Sequence, residues 1–104
     1  MRVRYTIDAL LHSAAIHAYV AERNPDAATR VLARIRSAGE LLGEHPRIGH
    51  AGAAAGRREW VVKGLPYVIV HELNELESEV VIPGVYHGAQ LRPGQESGDP
   101  EPKR

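Results

Sequence analysis

Cysteine is missing from all 104 residues of the chain, and so is phenylalanine; tryptophan and methionine occur once each. Without cysteine there is no disulfide, no thiolate zinc site and no thiol nucleophile, which fits a reducing cytoplasm. Aromatics are only 5% of the sequence, so the core has to be built from Leu, Ile, Val and Ala. No apolar run approaches membrane-spanning length. Met1-Arg2-Val3-Arg4 leads into a short strand rather than an apolar segment with a cleavage site, so no secretory leader is expected. An excess of one charge is lacking as well, since thirteen Lys and Arg balance thirteen Asp and Glu. That neutrality argues against gripping nucleic acid by charge alone, and no direct DNA binding is expected. The balance hides a polarity: residues 1–63 hold ten basic against six acidic side chains, and residues 64–104 three against seven. The basic half could face an anionic partner; two solvated faces of mixed sign explain it equally.

What is present fits one small domain of residues 1–90, followed by a polar tail. Three runs of β-branched and aromatic residues lie within 57–90, separated by turn formers: Arg57–Lys63, Tyr67–Leu73 and a last run from Glu79. They read as strands whose short links favour antiparallel pairing. Pro83 cannot donate to a ladder, so it implies a bulge or a locally unpaired edge in the last strand. At the other end, Val3, Tyr5 and Ile7 alternate with polar residues as a short first strand. A first helix is expected from Asp8 to Arg23, with Leu10, Ala14, Ile16, Tyr19 and Val20 forming an apolar stripe and Asp8 at its start. Asn24 and Pro25 suit the cap and first turn of a second helix running to about Leu42. Its apolar positions Ala28, Val31, Leu32, Ile35, Ala38, Leu41 and Leu42 recur at steps of three and four. Gly39 should weaken that helix slightly, and Gly43 with His45-Pro46 should stop it. The Gly- and Ala-rich stretch 46–56 reads as a mobile connection; it lacks the spacing and Lys of a phosphate loop. Residues 91–104 contain nothing from Arg92 onward that could anchor them, and disorder is expected there. The fold class is therefore α+β, in the order β-α-α-β-β-β, with a helical hairpin on a small antiparallel sheet.

Six histidines raise the question of metal or general-base chemistry. His12 and His17 are five apart and share no helical face, and no HExxH pair occurs, so no metal is expected. His45 and His50 fall in the loop and should face solvent. His71 and His87 both end strand runs and could converge at one sheet edge, or each could be an ordinary boundary residue. Arg57, Arg58 and Lys63 form a basic cluster that could hold a phosphate or a partner's carboxylates, although Arg58 and Lys63 fall on opposite faces by parity. They could equally be edge charges that discourage aggregation. Trp60 is either core or a binding anchor.

Taken together, several stretches resemble a known family. They are Tyr5-Thr6, Tyr19-Val20-Ala21-Glu22-Arg23-Asn24-Pro25, His45-Pro46-Arg47-Ile48-Gly49, Leu65-Pro66-Tyr67-Val68-Ile69-Val70 and the closing His87-Gly88-Ala89-Gln90. The chain resembles the RelE/ParE superfamily of small bacterial toxins from type II toxin–antitoxin pairs, and looks closest to the ParE branch. The resemblance implies a cytoplasmic toxin that poisons DNA gyrase by protein–protein contact, needs no cofactor, and is neutralised by a ParD-like antitoxin. On that reading the antitoxin contacts Ala14, Ala18 and Ala21 on the first helix and Arg57, Arg58 and Trp60 on the sheet. RelE-like relatives instead cut messenger RNA on the ribosome, using cations and a proton-transfer group. Here Arg58, Lys63, His71 and His87 would have to serve, an incomplete set, because no cation precedes His71 in its strand. Departures from the ParE pattern are His12, Ser13, His71 in place of an aromatic, and Pro83-Gly84. They leave an inactive binding remnant as a third reading.

Overall fold

The computed structural model describes residues 1–90 and Arg92. The elements are β1 (Arg2–Tyr5), α1 (Ile7–Ala21), α2 (Pro25–Glu44), β2 (His50–Ala51), β3 (Arg58–Val61), β4 (Tyr67–Asn74) and β5 (Glu79–His87). The expectation for 91–104 falls outside the described residues, Arg92 excepted. No helix among the described residues is long and apolar enough to cross a membrane.

The five strands form one sheet in the order β1-β5-β4-β3-β2. From β2 to β5 the pairings are antiparallel, as the short links require. β1 departs from the expected antiparallel sheet, for it lies parallel to β5, Val3 opposite Val80 and Tyr5 opposite Ile82. The intervening chain, with its two helices, is long enough for a parallel crossover. Charged–apolar alternation in β1 sets its face but says nothing of its direction. A second difference lies in the 46–56 connection, where His50 and Ala51 add a two-residue edge strand beside Glu59 and Arg58. Pro83 behaves as its chemistry demands: Val70 pairs with Gly84 and Glu72 with Val81, so Ile82 and Pro83 together oppose His71 alone.

The helices start where side-chain oxygens accept their orphan amides. Thr6 Oγ1 accepts from Ala9 N at 3.1 Å, so α1 begins at Ile7 and Asp8 is its first-turn acid. Asn24 Oδ1 accepts from Ala27 N at 3.0 Å, with Pro25 at the first helical position. α2 does not stop at Gly43 but runs through it to Glu44 and is capped at His45. Its two glycines have another purpose. A Cβ on Gly39 would lie 2.0 Å from the Tyr5 hydroxyl oxygen, and one on Gly43 2.8 Å from Val3 Cγ2. They are the places where β1 presses against α2.

The core lies between the helices and one face of the sheet. Ala9, Ile35 and Leu42 from the helices meet Val62, Tyr67, Ile69, Val80, Ile82 and Val85. The other sheet face carries ion pairs over buried Val68, Val70 and Val81: Arg4 to Glu79 at 3.0 Å, Arg57 to Glu72 at 2.9 Å and Arg92 to Glu59 at 2.9 Å.

Candidate functional site

α1 contains a single charged residue, Asp8, among fifteen. A helix that is apolar all round needs cover on every side. The fold covers only one. Ala9 is fully buried, and Ile16 packs against the core. On the opposite side Ile7, Leu10 and Leu11 are 76%, 55% and 61% exposed. Ala14 and Ala18 continue that line at steps of three and four, both exposed, and Ala21 follows half-buried. The stripe borders a groove of about 470 Å³ between the two helices, lined among others by Tyr5, Leu10, Ala14, Leu32 and Ile35. Leu10 and Tyr19, expected to face the core, are instead exposed. Ile16 does face it.

The expected sheet contacts are less available. Arg57 Nε is bound to Glu72 at 2.9 Å. Arg58 turns its guanidinium onto the carbonyls of Gly49 and Ile48, at 2.7 and 3.3 Å. Trp60 is half-buried and leans on the core, opposite Ile69 in β4. Ala14, Ala18 and Ala21 thus share an open face, whereas both arginines are already engaged.

The four residues proposed for a nuclease do not assemble. Arg58 is the register partner of His71, but His87 pairs with Tyr67, four residues away along β4. At about 3.3 Å per residue, that places His87 roughly 13 Å from His71. The two histidines therefore do not converge at one edge. Lys63 lies beyond the end of β3 and is exposed, its carbonyl accepting from Arg34. His71 is fully buried and neither ring nitrogen has a hydrogen-bond partner. Burial pushes its pKa down from 6.5, with Arg58 adding to the depression, against smaller upward pulls from the nearby backbone of Pro46, Ile69 and Ile48, none of which makes a well-formed hydrogen bond to the ring. A neutral, enclosed imidazole cannot reach a substrate. Among the described residues no group of three His, Asp or Glu side chains is placed to hold a metal ion.

Sequence reasoning missed Ile7, Leu10 and Leu11 as exposed residues. The signal was the scarcity of charge in α1, which allows two apolar faces where only one was assigned. It also missed Glu59, buried beneath Arg92 with His50 Nε2 3.5 Å away.

Comparison with known proteins agrees with this architecture. Residues 3–92 match the family model described as the ParE toxin of the type II toxin–antitoxin system parDE. The chain is 38% identical over 92 residues to the candidate toxin Y4kP of Sinorhizobium fredii, covering 88% of this chain and 93% of the relative. Its fold is similar to a chain of a chromosomal ParDE toxin–antitoxin system from P. aeruginosa, with a TM-score of 0.73 and 19% identity over 84% of this chain and 95% of the other.

Proposed function

The chain belongs to the ParE toxin family, and from that premise we propose that it poisons DNA gyrase in the bacterial cytoplasm by protein–protein contact and is held inactive by a ParD-like antitoxin. The observation that carries the binding half of this reading is the uncovered apolar face of α1. Ile7, Leu10 and Leu11 stand in water beside an apolar groove. Covering each such side chain gains about 1.5–3 kcal/mol, so an amphipathic segment laid along the stripe would bind well and would shield the toxin from water. Ala14 and Ala18 let such a segment approach closely. Arg57, on the sheet face away from the helices, and Trp60, on the helix face, do not make one contact region with Arg58, and either arginine is reached only if the partner's carboxylates compete with Glu72 or the loop carbonyls.

The geometry argues against message cleavage. Catalysis of that kind needs cations and a proton-transfer group around one phosphate, whereas Arg58, His71, Lys63 and His87 are dispersed or enclosed. The test is induction without antitoxin, followed by gyrase supercoiling and cleavage assays beside a translation assay. Gyrase-linked DNA breaks with intact messages are expected. Rapid cleavage of ribosome-bound messages, or normal growth on full expression, would refute the proposal.

A further inference from the structure

On another side of α1 from the groove, a cavity of about 310 Å³ opens between that helix and the end of the sheet. Its polar lining is His12, Tyr19, Tyr67, His87 and Gln90. Neither the antitoxin face nor the nuclease reading uses this combination. Its hydrogen bonds have a common sense. Val85 N donates to His12 Nδ1 at 3.2 Å. Ala89 N donates to His87 Nδ1 at 3.0 Å. His87 N donates to Gln90 Oε1 at 2.6 Å. In each imidazole the Nδ1 acceptor is spent on a backbone amide, so while those bonds hold the neutral ring carries its proton on Nε2; Gln90, its carbonyl turned to His87 N, adds its NH₂ as a donor. The cavity is therefore furnished with donors. No Asp or Glu lines it, and the Arg23 guanidinium stacks 4.5 Å from the centre of the Tyr19 ring, adding positive charge at the rim.

The donors are also held in place. The His87–Gln90 turn is closed by Gln90 N to the His87 carbonyl at 2.9 Å, and Gly88 N ties it to the Pro66 carbonyl at 2.7 Å. The His12 ring lies 4.8 Å from that of Tyr86, and the Tyr67 ring meets that of His87 edge-on at 5.8 Å. The remaining wall is apolar, from Ala15, Ile16 and Val85. Donors above an apolar floor, without a cation in the lining itself, match a singly charged acceptor on a hydrocarbon stem. A phosphate, with more charge to satisfy, calls for Arg or Lys in direct contact.

We propose that this cavity is a binding site for an apolar-stemmed carboxylate, whether a small carboxylic acid or the acidic side chain of a partner, held by His12, His87 and Gln90. It does not rest on the toxin reading, because the isolated full chain can be tested directly. Histidine ¹H–¹⁵N spectra at fixed pH should show both rings as Nε2–H tautomers. Butyrate should shift His12 and His87 saturably, while butyramide and inorganic phosphate should not. Gln90→Glu keeps the acceptor for His87 N–H but replaces a donor with a negative charge. It should weaken butyrate binding by about tenfold, the effect of losing one hydrogen bond to a charged group, and leave the fold intact. A ring protonated on Nδ1 instead, an absent or unsaturable butyrate response, phosphate binding as tightly as butyrate, or unchanged binding by Gln90→Glu would each overturn the assignment. Acidic peptides from the antitoxin, each beside a copy with its glutamate replaced by glutamine, separate the two sources: competition with butyrate by the glutamate form alone assigns the cavity to a partner's side chain, and failure of both forms assigns it to small acids.

Discussion

His71 is a polar ring enclosed in the core. It is fully buried, and neither nitrogen makes a well-formed hydrogen bond, although the backbone of Pro46, Ile69 and Ile48 lies near enough to act weakly on the ring. An unpaired buried polar group costs about 1–3 kcal/mol. The pKa depression adds a pH dependence whose sign is fixed. The folded pKa lies below the unfolded value of 6.5, so below that pH the unfolded chain binds more protons than the folded one. The contribution of the neutral ring is thus complete above 6.5, erodes as pH falls through that value, and levels off once the folded pKa is passed. His71→Leu removes both penalties with a change in volume smaller than a methylene group. It should raise stability at neutral pH by about 1 kcal/mol and flatten the stability loss on mild acidification. Urea unfolding at several pH values measures both. A variant less stable than the parent, with the same pH slope, would show that the imidazole is not the cause.

At the scale of elements, the contact between β1 and α2 reverses an ordinary rule. Gly→Ala inside a helix normally gains up to about 1 kcal/mol. At Gly39 the new methyl would meet the Tyr5 hydroxyl at 2.0 Å and its ring carbon Cζ at 3.1 Å. Gly39→Ala should therefore destabilise by about 1–3 kcal/mol, and adding Tyr5→Phe should recover much of the loss by removing the oxygen. Thermal unfolding of the two single variants and the double gives the coupling. α1 yields a different expectation. Leu10 and Leu11 face water, so Leu10→Lys with Leu11→Glu should change stability by less than about 1 kcal/mol yet abolish the antitoxin binding proposed for this face, measured by calorimetry. The two helices also show what a sequence can carry. α2 was readable because Asn24 and Pro25 mark its start and its charges leave one apolar stripe. α1 was readable as a helix but not in its facing, because apolar residues on both of its faces leave it no unique phase. The parallel pairing of β1 was likewise hidden, since alternation specifies a face and not a direction. The partners of Arg57 and Arg58 lie fifteen and nine or ten residues away in sequence, beyond the reach of any local pattern, so a basic cluster that looked free is already engaged.

For the whole molecule, the question is where the folded unit ends. Composition placed the boundary at Gln90, because nothing apolar follows Arg92. Yet Arg92 reaches back across the sheet to Glu59, with Nε 2.9 Å from Oε2 and side chains only 12% and 6% exposed. Glu59 lies on β3, the strand next to the edge, on the face away from the helices. The contact therefore ties Arg92 to the side of the sheet that the hairpin does not cover. A buried pair is poor evidence of net stability, since dehydrating both charges offsets their attraction; removing one partner is another matter, because the other is left charged and enclosed, at about 3–5 kcal/mol. His50, 3.5 Å from the other carboxylate oxygen, softens that loss only when it is protonated. A chain cut after Gln90 should therefore lose about 2–4 kcal/mol relative to one cut after Arg92, and Arg92→Ala in the full chain should lose about as much. Glu59→Leu combined with Arg92→Ala should restore most of it, because no charge then remains unpaired. Urea unfolding of the four proteins decides the matter. If the two cut chains unfold at the same midpoint, the pair contributes nothing and the fold closes at the His87–Gln90 turn. If the double variant is no better than Arg92→Ala alone, Arg92 acts through packing of its stem and not through its charge.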